Sequence, residues 1–172
     1  LFRRIISAVV LTTLLFAAHA QTKTTVNSPN NNLRLEFWIG QQGEPIYAVY
    51  YKNRNVVLPS KMGFEIREHF QDKKVTSLQN NFEMLSATPF NYDGNWQPVW
   101  GELKEIQEHY NAVRINLAQK KEKPILLNIV FKVFDDGVGF RYEFPEQNNL
   151  IHFVIKEEHT QFAMAGDHTA YW

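Results

Sequence analysis

The sequence predicts an all-β fold, an antiparallel β-sandwich with low helix content. Three observations carry that reading. Apolar residues recur with a period of two along most of the chain, the spacing that puts alternate side chains on opposite faces of a strand. Short apolar runs are separated by Asn, Gly and Pro with no strand–helix–strand rhythm. The chain has no cysteine, yet 13 Phe, 7 Tyr and 4 Trp among its 172 residues can fill a core.

Residues 1–20 are set apart from the fold as a signal peptide. Arg3 and Arg4 precede an uncharged, mostly apolar run over 5–18, and Ala18-His19-Ala20 fits the small-x-small cleavage pattern. The run is shorter than the roughly 20 residues a membrane span requires. No cysteine follows the cleavage point, which excludes a lipid anchor there, so the expectation is export without a membrane anchor, to a periplasm. Removing residues 1–20 leaves 152, enough for one domain, and a near-neutral balance of 16 basic against 18 acidic residues. Such a balance argues against a nucleic-acid partner, which selects a strongly basic face.

Residues 21–32 are polar and read as a leader or a first edge strand. In "NLRLEFWIG" Leu33, Leu35, Phe37 and Ile39 share one strand face. "PIYAVYYKNRNVVLP" reads as two apolar runs around a turn at Lys52-Asn53-Arg54-Asn55, and in "MGFEIREHF" Met62, Phe64 and Ile66 face one way. Residues 74–90 give one or two weaker strands punctuated by Asn80-Asn81. "AVRINLAQ" aligns Val113, Ile115 and Leu117, and residues 119–123 ("QKKEK") form a solvated charged turn. Ile125, Leu127, Ile129, Phe131 and Val133 make an unbroken apolar face. Leu126, Val130 and Phe134 make the opposite face partly apolar too, which marks a central strand. Only "GELKEIQEHYNAV" offers a helical alternative, through Leu103, Ile106 and Tyr110.

Asp135-Asp136-Gly137 follows that central strand, and Phe140, Tyr142 and Phe144 alternate directly after it. Asp-Gly between two such runs is a hairpin signal that rests on positive φ, with Gly139 offering a bulge or a close backbone approach. The two acids make a poor catalytic pair, because adjacent strand residues point to opposite faces. They also lack the alternate spacing and terminal Glu of a calcium loop. The turn is the preferred reading.

Other chemistry is sparse. Glu102, Glu105, Glu108 and His109 form an acidic cluster in which Glu105 and His109 would adjoin on a helix, but the second His of a zinc helix is missing. Asp167-His168 has no third partner, and neither a nucleophile elbow nor a phosphate loop is present. Trp96 and Trp100 in "NWQPVWGE", with Glu102 beside them, are the candidates for contact with a sugar, although core or interface packing is the commoner use of such aromatics. No catalytic residue and no metal ligand is assigned.

Four stretches taken together resemble the N-terminal domain of glycoside hydrolase family 97: "PVWGE" (98–102), "HYN" (109–111), "VFDDGVGFRYEFP" (133–145) and "AGDHTAYW" (165–172). They occur in the family's order and cover essentially all of 21–172. The resemblance implies a large super-sandwich, similar to that of galactose mutarotases, packed on a (β/α)8 barrel of the same polypeptide. The barrel carries the catalytic carboxylates and most of the calcium ligands, and it acts on α-glucosidic or α-galactosidic bonds of oligosaccharides. It further implies that this chain is the sandwich, incomplete at its C-terminus, with no cofactor of its own and calcium expected in the full-length enzyme. A domain cut there is expected to leave an open sheet edge and to be poorly soluble by itself. Two other readings stay open. One is a free-standing carbohydrate-binding module using Trp96 and Trp100. The other is a mutarotase-like enzyme, for which His109, His152 and His168 are available but unpaired with any acid.

Overall fold

The computed structural model describes residues 22–67, 69–167 and 169; the expected signal peptide and His168 lie outside them. The described residues contain eleven strands and no helix: β1 (Thr24–Asn27), β2 (Leu33–Ile39), β3 (Pro45–Tyr51), β4 (Arg54–Lys61), β5 (Phe64–Arg67), β6 (Thr76–Leu78), β7 (Phe82–Trp96), β8 (Ile106–Gln119), β9 (Leu126–Val133), β10 (Val138–Glu143) and β11 (Val154–Glu158). They form a first sheet β1-β2-β3-β4, a second sheet β10-β9-β8-β7 and a three-stranded sheet β11-β5-β6. Every strand pair is antiparallel.

The two four-stranded sheets enclose the core. Leu35, Phe37 and Tyr47 from the first face Ile115, Leu117, Leu127, Ile129 and Phe131 from the second. Phe131 lies at its centre, with ring centroids 5.8 Å from Phe37, 6.1 Å from Tyr47 and 5.9 Å from Phe140. The alternation in the sequence is therefore the alternation of the core: Leu33, Leu35, Phe37, Val113, Ile115, Leu117 and the odd positions from Ile125 to Val133 are all buried. Each such side chain contributes about 1.5–3 kcal/mol by leaving water. As the partly apolar second face of β9 suggested, that strand is internal to its sheet, and Val130 on its outer side is buried as well.

A third set of contacts ties the layers together. The chain from β11 onward runs beside β5 and then beside β4. His159 N donates to Gly63 O (2.9 Å), Gln161 N to Lys61 O (2.9 Å), Leu58 N to Ala163 O (2.7 Å) and Ala165 N to Val56 O (3.0 Å). Tyr47 adds its hydroxyl, which donates to Gln161 O at 2.8 Å. Residues 154–165 thus act as one long strand that stitches the three-stranded sheet to the first sheet.

One alternative is removed and one turn changes. The helical alternative over residues 101–113 is not formed: residues 106–119 are strand β8, paired with β7 from Trp96↔Ile106 to Phe82↔Gln119. Ile106 and Tyr110 are four apart, a spacing that serves a helix face and a strand face equally. Only Leu103 favoured the helix, and it lies in the loop before β8, 63% exposed. The turn after β3 is tighter than the four residues expected: Tyr51 pairs with Arg54, and Lys52 (φ 47°) and Asn53 (φ 65°) alone make it. Positive φ at both central residues is the turn whose twist matches that of the flanking strands.

Tyr47 in the core and Tyr142, partly buried against it, are expected to make stability depend on alkaline pH. Burial pushes the Tyr47 phenol up to about 12. Burial also raises that of Tyr142, whose hydroxyl shares a 2.6 Å hydrogen bond with Thr160. An unfolded tyrosine ionises near pH 10, so between roughly pH 10 and pH 12 the unfolded chain loses protons that the folded one keeps. Stability is expected to be intact below pH 10 and to fall across that window. Melting temperatures measured against pH should decline there, and the Tyr47→Phe/Tyr142→Phe double variant should decline less steeply.

Candidate functional site

The longest hairpin carries the residues singled out for sugar contact. β9 pairs with β8 only as far as Asn111↔Val133, so Tyr92–Trp96 and Ile106–Tyr110 continue past it as a two-stranded ribbon. At its base the Tyr110 ring stacks on Tyr92 (5.6 Å, 26°) and meets Phe134 edge-on at 5.1 Å. The Lys132 ammonium lies 4.2 Å from the Tyr110 centroid. These contacts fix the ribbon to the second sheet.

At its far end residues 97–105 form an open loop. Trp96 is 44% exposed, Trp100 88% and Val99 fully exposed. Glu102 is exposed in the same loop. A core role for the two tryptophans is thereby removed, whereas contact with something outside these residues fits their position. The tip thus groups three exposed apolar side chains, Trp96, Val99 and Trp100, at the end of β7 and in the loop after it.

The acidic turn is a structural fastener. Phe134 N donates to Gly137 O (2.8 Å), which places Asp135 and Asp136 at the centre of the turn. None of the three residues Asp135, Asp136 and Gly137 has positive φ, so the Asp-Gly geometry expected from sequence is not the one used. Asp135 Oδ1 accepts from Asn30 N at 2.8 Å and pins the turn to the loop between β1 and β2. Gly139 pairs regularly with Lys132, with no register shift and hence no bulge.

The remaining sequence candidates do not converge. Glu105 lies in the loop, while Glu108 and His109, as neighbours on β8, take opposite faces; Glu108 pairs with Lys132 at 3.7 Å and His109 is opposite Asp93. The helical Glu105–His109 half-site is therefore not formed. His152 lies in the loop before β11, and among the described residues neither it nor His109 hydrogen-bonds a carboxylate. The charged turn at 119–123 does more than face solvent. Gln119 is buried at the end of β8, while Lys121, Glu122 and Lys123, with Lys74, Ile66 and Leu150, wall a cavity of about 310 Å³; burial, then the Lys74 charge, lowers the Lys121 ammonium's pKa.

One cluster had no signal in the sequence. Glu65 on β5 and Glu157 and His159 on and after β11 bring ligand atoms within 4.8 Å of one another, and His159 Nε2 is 3.8 Å from both carboxylates. Glu65 is already engaged: Lys156 Nζ is 2.6 Å from its Oε2, and this bond leads the causes that lower its pKa. Calcium takes six to eight oxygens. Two carboxylates, one of them holding a lysine, and an imidazole nitrogen do not fit it. The partners are about 90 residues apart in the chain, so no local spacing could have revealed them.

Comparison with known proteins gives one consistent result. The family model described as Glycosyl-hydrolase 97 N-terminal matches residues 26–172. A glycoside hydrolase family 97 enzyme from Pseudoalteromonas sp. strain K8, solved with panose and also with acarbose, is 32% identical with a TM-score of 0.72. The match covers 83% of this chain and 20% of that one. A beta-arabinopyranosidase, at 22% identity and a TM-score of 0.68 over 81% of this chain and 21% of its own, shares the fold. The chain thus spans about a fifth of the length of the solved enzymes it matches.

Proposed function

The chain belongs to the glycosyl-hydrolase 97 N-terminal family, and from that membership we propose that it is the non-catalytic, carbohydrate-associated sandwich of a longer exported glycosidase. The observation that carries the reading is the match of nearly the whole chain to only a fifth of a family 97 enzyme. The longer protein hydrolyses α-glucosidic or α-galactosidic bonds of oligosaccharides through a (β/α)8 barrel of the same polypeptide. Calcium is held by residues of that barrel. The signal-peptide pattern over 1–20 supports a periplasmic location. The role of the sandwich is to support the barrel and to form one wall of its substrate pocket.

Activity of the full-length enzyme on aryl α-glucosides and aryl α-galactosides, compared with that of residues 21–172 alone, tests this. Hydrolysis is expected from the full-length protein only. Turnover by residues 21–172 would refute a non-catalytic role.

The exposed ribbon tip supports the pocket-wall role, with Trp96 and Trp100 offering stacking faces to a sugar ring and Glu102 an acceptor for its hydroxyls. Loss of one aromatic platform costs about 1 kcal/mol, or several-fold in binding. In the full-length enzyme Trp96→Ala and Trp100→Ala are expected to raise KM for an oligosaccharide about five- to tenfold and to leave kcat nearly unchanged. A KM unaffected by either substitution would remove the tip from the substrate path. The same exposure favours a second reading, a carbohydrate-binding module. Calorimetry with maltooligosaccharides distinguishes it, because a module binds sugar without the barrel.

A further inference from the structure

On the reading that this chain is one domain of a longer glycosidase, we propose that the outer face of its second sheet is the surface that docks on the rest of that polypeptide, with a carboxylate side chain seated in the hollow over Gly139. The strand register builds this face in rows. Phe90, Ala112, Lys132 and Gly139 lie side by side across β7, β8, β9 and β10, and Thr88, Arg114, Val130 and Arg141 form the next row.

The distinguishing feature of that face is Gly139, inside β10. A glycine inside a strand weakens it and marks a bulge, a bend or the close approach of another group. Here φ is not positive, the pairing with β9 is regular, and a Cβ would meet nothing within 4 Å. Neither the backbone nor the packing of this domain calls for glycine. Gly137 is equally open but sits in the turn, whereas Gly139 lies inside β10, where the clearance leaves room for a group from outside the domain.

The surroundings say what that something carries. The hollow, about 240 Å³, is floored by buried Val130 and flanked by Lys132 and Arg141. Both cations are held in place: Lys132 by the Tyr110 ring and Glu108, Arg141 by Glu143, which accepts from Arg141 Nε at 2.8 Å and also binds Arg114. Three cations face two carboxylates, which leaves one positive charge and calls for an anionic occupant. Phe90, Tyr92 and Trp96 alternate onto the same side of β7 and are each about 40% exposed, so an apolar strip runs from the hollow to the ribbon tip. An apolar strip with a preorganised charged pocket beside it is the anatomy of a protein interface rather than of a lone anion site. With about four-fifths of the matched enzyme lying beyond the matched region, the partner is that remainder.

Zero-length cross-linking of the full-length enzyme tests the placement. Carbodiimide should join Lys132 to an Asp or Glu outside residues 1–172. Lys132 joined to Glu108 alone, or to nothing, would overturn it. Gly139→Val gives a second test whose sign decides. On an uncovered face the added β-branched side chain should keep or raise the melting temperature, whereas beneath a docked partner it should lower it and expose the interdomain connection to protease. Arg141→Gln, a change at an exposed side chain outside the core, should increase the same proteolysis at moderate salt. If the unmodified protein already releases this domain freely, nothing docks on it and the proposal fails, while the domain reading stands. If it resists protease and both variants behave like it, only this face is wrong.

Discussion

Phe131→Ala is expected to destabilise the fold more than any other truncation to alanine in the core, by about 3–5 kcal/mol. Phe131 has no exposed surface, and its ring is shared by Phe37 and Tyr47 of the first sheet and Phe140 of the second. Its strand is internal, held on one side by β8 and on the other by β10, so the backbone cannot close on the space left behind. Removing the ring loses its transfer energy and leaves a cavity between the two sheets. At a few degrees per kcal/mol the thermal transition of the intact protein should drop by roughly 10 °C. Phe131→Leu, which refills most of the volume, should recover more than half of that. A drop of only a degree or two for the alanine variant would mean that the sheets do not pack through this ring.

Gly63→Ala is the second large effect, and its cause is the backbone. Gly63 lies between β4 and β5 with φ 151°, a conformation that L residues avoid. A methyl group there would sit 2.4 Å from Leu78 O and 2.9 Å from Gln79 Cα, both main-chain atoms that cannot swing aside. Strain and overlap together should cost on the order of 3 kcal/mol or more. The carbonyl of Gly63 also accepts from His159 N, so a shift would loosen the stitching strand too. Gly137→Ala is the control, because Gly137 has ordinary φ and open space around it. Soluble yield and melting temperature should fall sharply for Gly63→Ala and stay level for Gly137→Ala.

What could be read from the sequence was whatever is decided by neighbours a few residues away. The alternation at Leu33–Leu35–Phe37 and from Ile125 to Val133 needs only one buried face, and there the pattern and the core coincide. The length of β7 was hidden, because Pro89 and Gly94 interrupt any strand pattern. Pro89 is tolerated because β7 is the edge of its sheet, which has a partner strand on one side only, and Gly94 keeps its N–H and stays in register opposite Glu108. The turn after β9 was recognisable as a hairpin, yet its geometry was set by Asp135 reaching Asn30, 105 residues earlier. The cluster of Glu65, Glu157 and His159 escaped for the same reason, since only pairing of β5 with β11 brings its members together. For the candidate site, Trp96 and Trp100 were visible as residues, but their exposure was not, because nothing local says that the hairpin outruns the sheet beside it.

The strand that runs beside both β5 and β4 has a consequence in time. Its hydrogen bonds join residues about 100 positions apart, such as Lys61 with Gln161, and contacts of that range form late because a large loop must close first. As the chain emerges, β1 to β4 can zip successively through near neighbours, while the free edge of β4 waits for more than ninety further residues. During that interval the nascent domain displays an unpaired strand edge, the hazard that pulls chains into aggregates. The folding of this domain is therefore expected to be timed by the arrival of residues 154–165, with the outer edge of β4 as its window of vulnerability.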